Sequence, residues 1–454
     1  MSFSQALSGL NAQSQRLGTI GNNIANSQTV GFKGSNVQFS DVFANSRVGL
    51  GTRVSAVLQN FNEGNIESTN RNLDLAVAGN GFFRFMDSSG EVVYSRNGQL
   101  TMKANGDLVN AQGFQIMGYG LNAQGQVQVG GQPVPLNVSA EELAASATTR
   151  VGTTLNLDAR KVPEGDLSTV ESNNNVELSY HYSNNFTVYD SLGNPRNITV
   201  YYEKIGQEVD AQGRPLYSDA DGVEYYRVGS DYFAVADDSS VDPDTLTGFG
   251  PQKLENTWQA RVTMDGYYSD ANDFRLAFNQ NGTLIQPAGG IAAIGFGPDS
   301  PLGNDPNPLD FQLNLAGSTQ FGNSSTVSSL TQNGYTSGTL VGITIDEDGT
   351  ILRNYSNEQS RPAGQIALVS FRNPEGLTPA GDNVWRASNE SGQELVGAPG
   401  TGLLGGIVSR AVETSNVDMA RELVDMIVAQ RAYQANSQTI KTQDELLQTA
   451  INLR

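Results

Sequence analysis

His181 is the sole histidine of this 454-residue chain, and cysteine is absent. An imidazole-activated nucleophile, a multi-histidine metal cage and a thiolate site therefore have almost nothing to be built from. His181 falls in an alternating stretch, VELSYHYSNNF, and reads as a strand residue. Gly400, Gly402 and Gly405 form a Gly-x-Gly-x-x-Gly pattern. Such glycines cradle a pyrophosphate only between a strand and a crossover helix, with a ribose-binding acid about 20 residues on. Only a short apolar scrap precedes these, so the pattern reads as a structural hinge. Acidic turns around Asp219, Asp221, Asp346 and Asp348 resemble calcium loops, but Val228 and Tyr355 stand where the bidentate acid belongs. Asp and Glu are abundant enough for a carboxylate-pair hydrolase. Nothing positions two of them, and two Trp are few for a sugar cleft. No catalytic residue, cofactor or metal ligand is assigned, and the chain reads as a non-enzyme.

The elements that would have to position any chemistry point to assembly instead. Phe3, Leu7, Leu10, Leu17 and Ile24 fall on one 3-4 spaced row, with Ser14 and Gly21 in its gaps. Met419, Leu423, Met426, Tyr433, Ile440, Leu447 and Ile451 fall on another, interrupted by Gln430, Ser437 and Asp444. A sustained heptad stripe marks a helix that needs a partner helix. The two ends are expected to pair with each other and then with copies from other molecules. The first helix is predicted to stop near Gly21, and its glycines each cost about 1 kcal/mol against Ala. The second is predicted from Asn416 to Ile451, roughly 54 Å long, opened by a capping box of Ser415 and Asp418. ANSQT occurs at 25–29 and again at 435–439; chance in an Asn/Ser/Gln-rich chain competes with two similar polar surfaces.

Composition fits that reading. Fifty Gly and a hydrophobic fraction of 38% indicate a turn-rich β body with modest cores, in two to four domains. Hairpins follow one another, as in FFRFM at 82–86 and EVVYS at 91–95 around Asp87-Ser-Ser-Gly90. Residues 1–70 carry a net charge of +1 and residues 410–454 a net of −1, so the middle holds the entire −20. That balance argues against nucleic acid as a partner. The N-terminus lacks the basic start and apolar core of a cleaved secretory signal. No run approaches the roughly 18 apolar residues of a membrane span. Export, if it happens, is expected by another route.

The segment NIANSQTVGFKG at 23–34 resembles the signature of bacterial flagellar rod and hook proteins, carried by Asn23, Ala25, Asn26, Thr29, Gly31, Phe32 and Lys33. The tail SNVDMARELVDMIVAQRAYQANSQTIKTQDELLQTAINL is similar to their shared C-terminal helix. GNGFFRF at 79–85, YSRNGQLTMKANGDLVNAQGFQIMGY at 94–119, DEDGTILRNYSNEQ and GDNVWRAS resemble their common β domain. Residues 146–331 match weakly. The resemblance implies a mainly β chain of two nested all-β domains, with discontinuous N- and C-terminal α-helices forming a coiled-coil-like inner domain. Its expected parts are a helical domain (1–30 and 411–454), an irregular connector (31–70 and 405–410), a common β domain (71–145 and 332–404) and an inserted outer β domain (146–331). Rod proteins are shorter, so within the family the length points to the hook. The resemblance then implies a subunit that self-assembles into a curved, flexible tube, a universal joint passing motor torque to the filament. It implies extracellular residence in the flagellum after type III export without cleavage. Implied partners are further copies, a hook cap protein, the distal rod and hook–filament junction proteins, with no nucleic acid and no membrane insertion. The expected polymer contacts are the two stripes above. A distal rod subunit with an unusual insert, or a secreted β-rich enzyme or adhesin, are the alternatives.

Overall fold

A helix, α1 (Phe3–Ala25), opens the described chain and runs through Gly18 and Gly21, past the stop expected at Gly21. The computed structural model describes all residues except 1–2, 43–48, 164, 208–213, 215, 229, 248–249, 252 and 453–454. Packing overrides the propensity deficit, because Ala6, Ala12, Ile20 and Asn23 are buried along one side. Gly9 has a steric reason: a Cβ there would stand 3.0 Å from the Asn436 amide nitrogen. At the other end, α2 (Met419–Asn452) begins three residues later than expected. Asp418 is its cap, with Oδ1 accepting the N–H groups of Ala420 at 2.9 Å and Arg421 at 3.2 Å. Ser415 reaches only the Val417 N–H. Asn416 is committed elsewhere: its amide donates to the Asn60 carbonyl at 2.7 Å and accepts the Gly34 N–H at 2.9 Å.

The stretch expected as an irregular connector holds a hairpin of β1 (Ser35–Val42) and β2 (Gly51–Gln59), paired antiparallel from Ser35↔Gln59 to Val42↔Gly51. Its Ser, Asn and Gln dilute the alternation that would have marked it. A lone hairpin is marginal in water, and α1 braces this one. Gln5 Nε2 donates to the Gly49 carbonyl at 2.5 Å, and Ser8 Oγ accepts the Thr52 N–H at 3.2 Å. Phe43, read as part of the connector, lies outside the described residues.

The chain divides into two compact units, one made of residues up to Glu141 with those from Thr339 onward, the other of Glu142–Gly338. In the first, strands from the two halves of the sequence pair. Asp74–Ala78 meets Gly406–Ser409, Phe82–Met86 meets Leu368–Ser370, and Gln115–Tyr119 meets Ser360–Ile366. Their inward residues, among them Leu75, Phe83, Phe85, Ile116, Ile366 and Leu368, share one core.

In the second unit two sheets share one core around Trp258, Tyr202, Leu276 and Phe311, and the unit also holds a further five-stranded sheet and a two-stranded one. Trp258 keeps its indole N–H satisfied on Gln320 Oε1 at 3.2 Å. The two ends of this unit are paired with each other, through the bridges Leu143↔Gly338 and Ser146↔Tyr335. The compact unit therefore takes in residues on both sides of the expected 146–331 insertion. His181 sits between two strands; Nδ1 accepts the Lys204 N–H at 3.0 Å, so Nε2 carries the proton and donates to the Gly165 carbonyl at 2.8 Å. It is a structural tie.

Candidate assembly surface

α1 and α2 lie antiparallel, because contacts advance along one as they retreat along the other. Gly9 touches Asn436, Arg16 Nη2 meets Asp425 Oδ1 at 3.0 Å, and Asn23 Nδ2 reaches Glu422 Oε1 at 3.1 Å. Small and polar residues dominate the seam, with Ala6, Ala12 and Ala429 buried. Close approach of the backbones replaces the large apolar packing that the two stripes suggested. The exposed Arg16–Asp425 pair contributes little by itself.

The stripes are therefore not one buried face. Met426, Tyr433 and Ile440 are half-buried on the α1 side, and Leu10, Leu17 and Ile24 are half-buried on α1. Phe3, Leu7, Leu423 and Leu447 are exposed. Ile451 belongs to α2, but its side chain lies outside the described residues. The sequence reading missed a second apolar strip made by Leu423 with Val424, Ile427 and Val428, of which Val424 is 62% and Ile427 51% exposed. At about 100° per residue these side chains fill the side of α2 opposite Ala429 and Tyr433. The signal was present in the run LVDMIV, with Val424, Ile427 and Val428 at i, i+3 and i+4.

The family-signature residues do something different: they weld the helices to the β body. Asn23 is buried, and its side chain both accepts the Ser35 N–H and donates to the Ser35 carbonyl, each at 2.9 Å. Asn26 donates back to the Asn22 carbonyl at 3.0 Å, and Thr29 Oγ1 donates to Asn26 Oδ1 at 3.1 Å, closing the end of α1. Gly31 has a φ of +71°, and a Cβ there would stand 2.7 Å from the Asn97 nitrogen, so the chain can cross the body only with glycine. Phe32 lines a cleft of about 520 Å³ with Trp385, whose indole N–H donates to Gln59 Oε1 at 2.6 Å.

Lys33 is the centre of the weld. Its side chain is fully buried, with Nζ 2.6 Å from Glu413 Oε1 and 2.6 Å from the Asn62 carbonyl. The other Glu413 oxygen accepts from Arg96 Nε at 2.7 Å. Arg96 also donates to the carbonyls of Gly79 at 2.9 Å and Gly81 at 2.5 Å, and the Gly64 N–H donates to Glu413 at 2.8 Å. Arg96 and Glu413 went unrecognised in the sequence because 317 and 380 positions separate Glu413 from its two cations.

Burial raises the Glu413 carboxyl, but the Arg96 hydrogen bond and the two cationic charges outweigh it and hold the group below its ordinary value. Glu394, bonded to Arg84 at 3.0 Å and to the Tyr94 hydroxyl at 2.7 Å, is likewise held low against its burial. Each such carboxylate stabilises the fold above its unfolded pKa, 4.5 for Glu, and the contribution is lost as pH falls through the lower folded value. Burial lowers the Lys33 ammonium despite Glu413, so its cost is relieved only as pH rises toward 10.5. Glu422, raised chiefly by burial, has the opposite sign to Glu413 and gains in acid. The β body of the first unit is therefore expected to melt progressively earlier below about pH 4.5. Melts followed by near-UV circular dichroism from neutral pH to about pH 3 check this; an unchanged midpoint refutes it.

The remaining chemical candidates resolve as turns. Gly400 and Gly402 have φ of +73° and +60°, and a Cβ on Gly405 would stand 2.1 Å from the Ala78 carbonyl. The loop enters a strand, Gly406–Ser409, rather than a helix. Asp219 Oδ1 accepts the N–H groups of Asp221 and Val223, and Asp348 Oδ1 accepts that of Thr350. Among the described residues no group of three or more His, Cys, Asp or Glu could hold a metal ion. Of the two ANSQT copies, one closes the end of α1 and the other lies inside α2, so they occupy different environments.

Antiparallel terminal helices with apolar residues turned outward, welded to a β body that both ends enter together, are the build of a polymer subunit. Family comparisons place that build among the axial proteins of the bacterial flagellum. Residues 4–33 match the flagella basal body rod protein family and residues 408–453 the flagellar basal body rod FlgEFG protein C-terminal family. Residues 76–148 match the flagellar hook protein FlgE/F/G D1 domain, and residues 156–335 the flagellar basal body protein FlaE D2 domain. The chain is 40% identical over 460 residues to the flagellar hook protein FlgE of Escherichia coli K12, covering 100% of both. It is also 40% identical over 457 residues to that of Salmonella typhimurium LT2, again covering 100% of both. The crystal structure of Helicobacter pylori flagellar hook protein FlgE2 aligns with 77% of this chain and 100% of that one, at 14% identity and a TM-score of 0.48. The chain belongs to the flagellar hook protein FlgE family. It is a structural subunit of the flagellar hook, not an enzyme.

Proposed function

We propose that this subunit polymerises into a short curved tube that carries motor torque to the filament while bending as it turns. The outward apolar strip of the helix pair is the observation that supports it. Leu423, Val424, Ile427 and Val428 on α2, with Phe3 and Leu7 on α1, leave large apolar surface in water that only another chain can cover. Packed helices resist twisting, whereas bending makes subunits shorten and lengthen their spacing every turn. Polar, acidic contacts over residues 146–331 suit sliding better than an interlocked apolar face.

On this reading the first contacts are with further copies. The hook cap protein guides assembly, and the distal rod and hook–filament junction proteins adjoin the two ends of the tube. The subunit reaches the cell exterior through the flagellar type III apparatus without cleavage. Among the described residues no helix is long and apolar enough to cross a membrane. Electron microscopy of the purified, polymerised chain tests the proposal: curved tubes are expected. Straight tubes would overturn the curvature, and no polymer at any concentration would refute self-assembly.

A further inference from the structure

The last turns of α2 outrun its partner. Residues Asp444 to Thr449 are exposed on every side, including Leu446 and Leu447, although Tyr433 and Ile440 on the same helix are half-buried against α1. Two carboxylates, Asp444 and Glu445, stand beside these leucines. Near the other end of α2, the strip of Leu423, Val424, Ile427 and Val428 is flanked by exposed Arg421 and Arg431. Glu422 and Asp425 at that end are turned toward α1, onto Asn23 and Arg16, so the outward side of the helix carries arginines beside the strip and carboxylates beside the C-terminal leucines. A single straight helix cannot bring its own two ends together, because Val428 and Leu447 lie roughly 28 Å apart along it.

Resting on the self-assembly reading above, we propose that the free C-terminal turns of α2 dock head to tail on the Leu423–Val428 strip of a second copy. Leu446 and Leu447 cover the apolar strip, while Asp444 and Glu445 face Arg421 and Arg431. Such a contact is heterologous, so it adds copies along a line instead of closing a dimer. Charge pairing at its rim sets register and partner choice.

The absence of cysteine from this chain makes the test direct. Full-length chain carrying both Val428→Cys and Leu447→Cys is polymerised and mildly oxidised. Disulfides need Cα atoms within about 7 Å, so none can close inside one helix. A ladder of covalent oligomers is expected from the double variant, and only dimers from an equimolar mixture of the two single variants. Polymer that forms without a ladder overturns this contact and leaves the self-assembly reading standing; a parent chain that never polymerises overturns both. A second experiment does not depend on disulfide chemistry. Arg421→Glu/Arg431→Glu and Asp444→Arg/Glu445→Arg should each lose sedimentable polymer alone, with helicity unchanged. Mixed in equal amounts they should regain it, because each then offers the other an opposite charge. A mixture as inactive as its parts overturns the charge pairing.

Discussion

Glu413→Gln is expected to destabilise the first unit by about 3–5 kcal/mol, the usual cost of stripping one partner from a buried ion pair. The loss should be large because Glu413 is the single anion shared by Lys33 and Arg96 within hydrogen-bond reach. Without it two cations face each other out of water. Lys33→Met should cost less. It removes a charge whose burial is unfavourable and leaves Arg96 and Glu413 as a one-to-one pair, with Arg96 still held by backbone carbonyls. Denaturant melts of the two variants test the asymmetry, and amide exchange at Ile66–Ser68 and Ala411–Glu413 reports whether the weld has opened. Equal losses would mean that charge balance does not govern this site. A practical corollary concerns trimmed fragments: a cut before residue 413 discards the anion, and one after Thr414 keeps it.

Ile427→Asp is expected to raise the concentration needed for polymerisation by about 100-fold or more, since desolvating an unpaired carboxylate costs several kcal/mol. The monomer should melt as before, because Ile427 touches water in the free chain. Ile440→Asp should behave differently. Half-buried on the α1 side, it should loosen the helix pair in the monomer as well as impair assembly. Sedimentation combined with far-UV circular dichroism separates the two effects. If Ile427→Asp polymerises normally, the outward strip is not an interface.

How much of this was legible follows from where each partner lies. Local signals were readable: Asp87-Ser-Ser-Gly90 is a turn, and α1 and α2 stand where the apolar rows lie. The seam was misread because periodicity reports that a helix has an apolar side, not what that side meets. Gly9 against Asn436 and the alanines at 6, 12 and 429 do the pairing, and small residues leave almost no trace in a hydrophobic stripe. The hairpin was lost to its Ser, Asn and Gln. The weld was half visible: a lysine inside VGFKG is an odd companion for Gly and Phe. Its counter-ion needed a fold that joins positions 33, 96 and 413. Glu413 stands behind Ala411 and Val412, and an acid ending an apolar triplet was the remaining hint.

The two strands entering the body, Ile66–Ser68 and Ala411–Glu413, run antiparallel and side by side, with Ile66 opposite Glu413 at the end nearer the helices. Ala411–Glu413 runs on within a few residues into α2, whereas Ile66–Ser68 reaches α1 through the β1–β2 hairpin. A pull on the helices is thus carried by two covalent tethers in parallel, and both are drawn out the same way, without shear between them. Neither can slip while Lys33 and Arg96 hold Glu413. A protease nick in either connector would leave a chain that still looks folded but transmits the whole load through one tether.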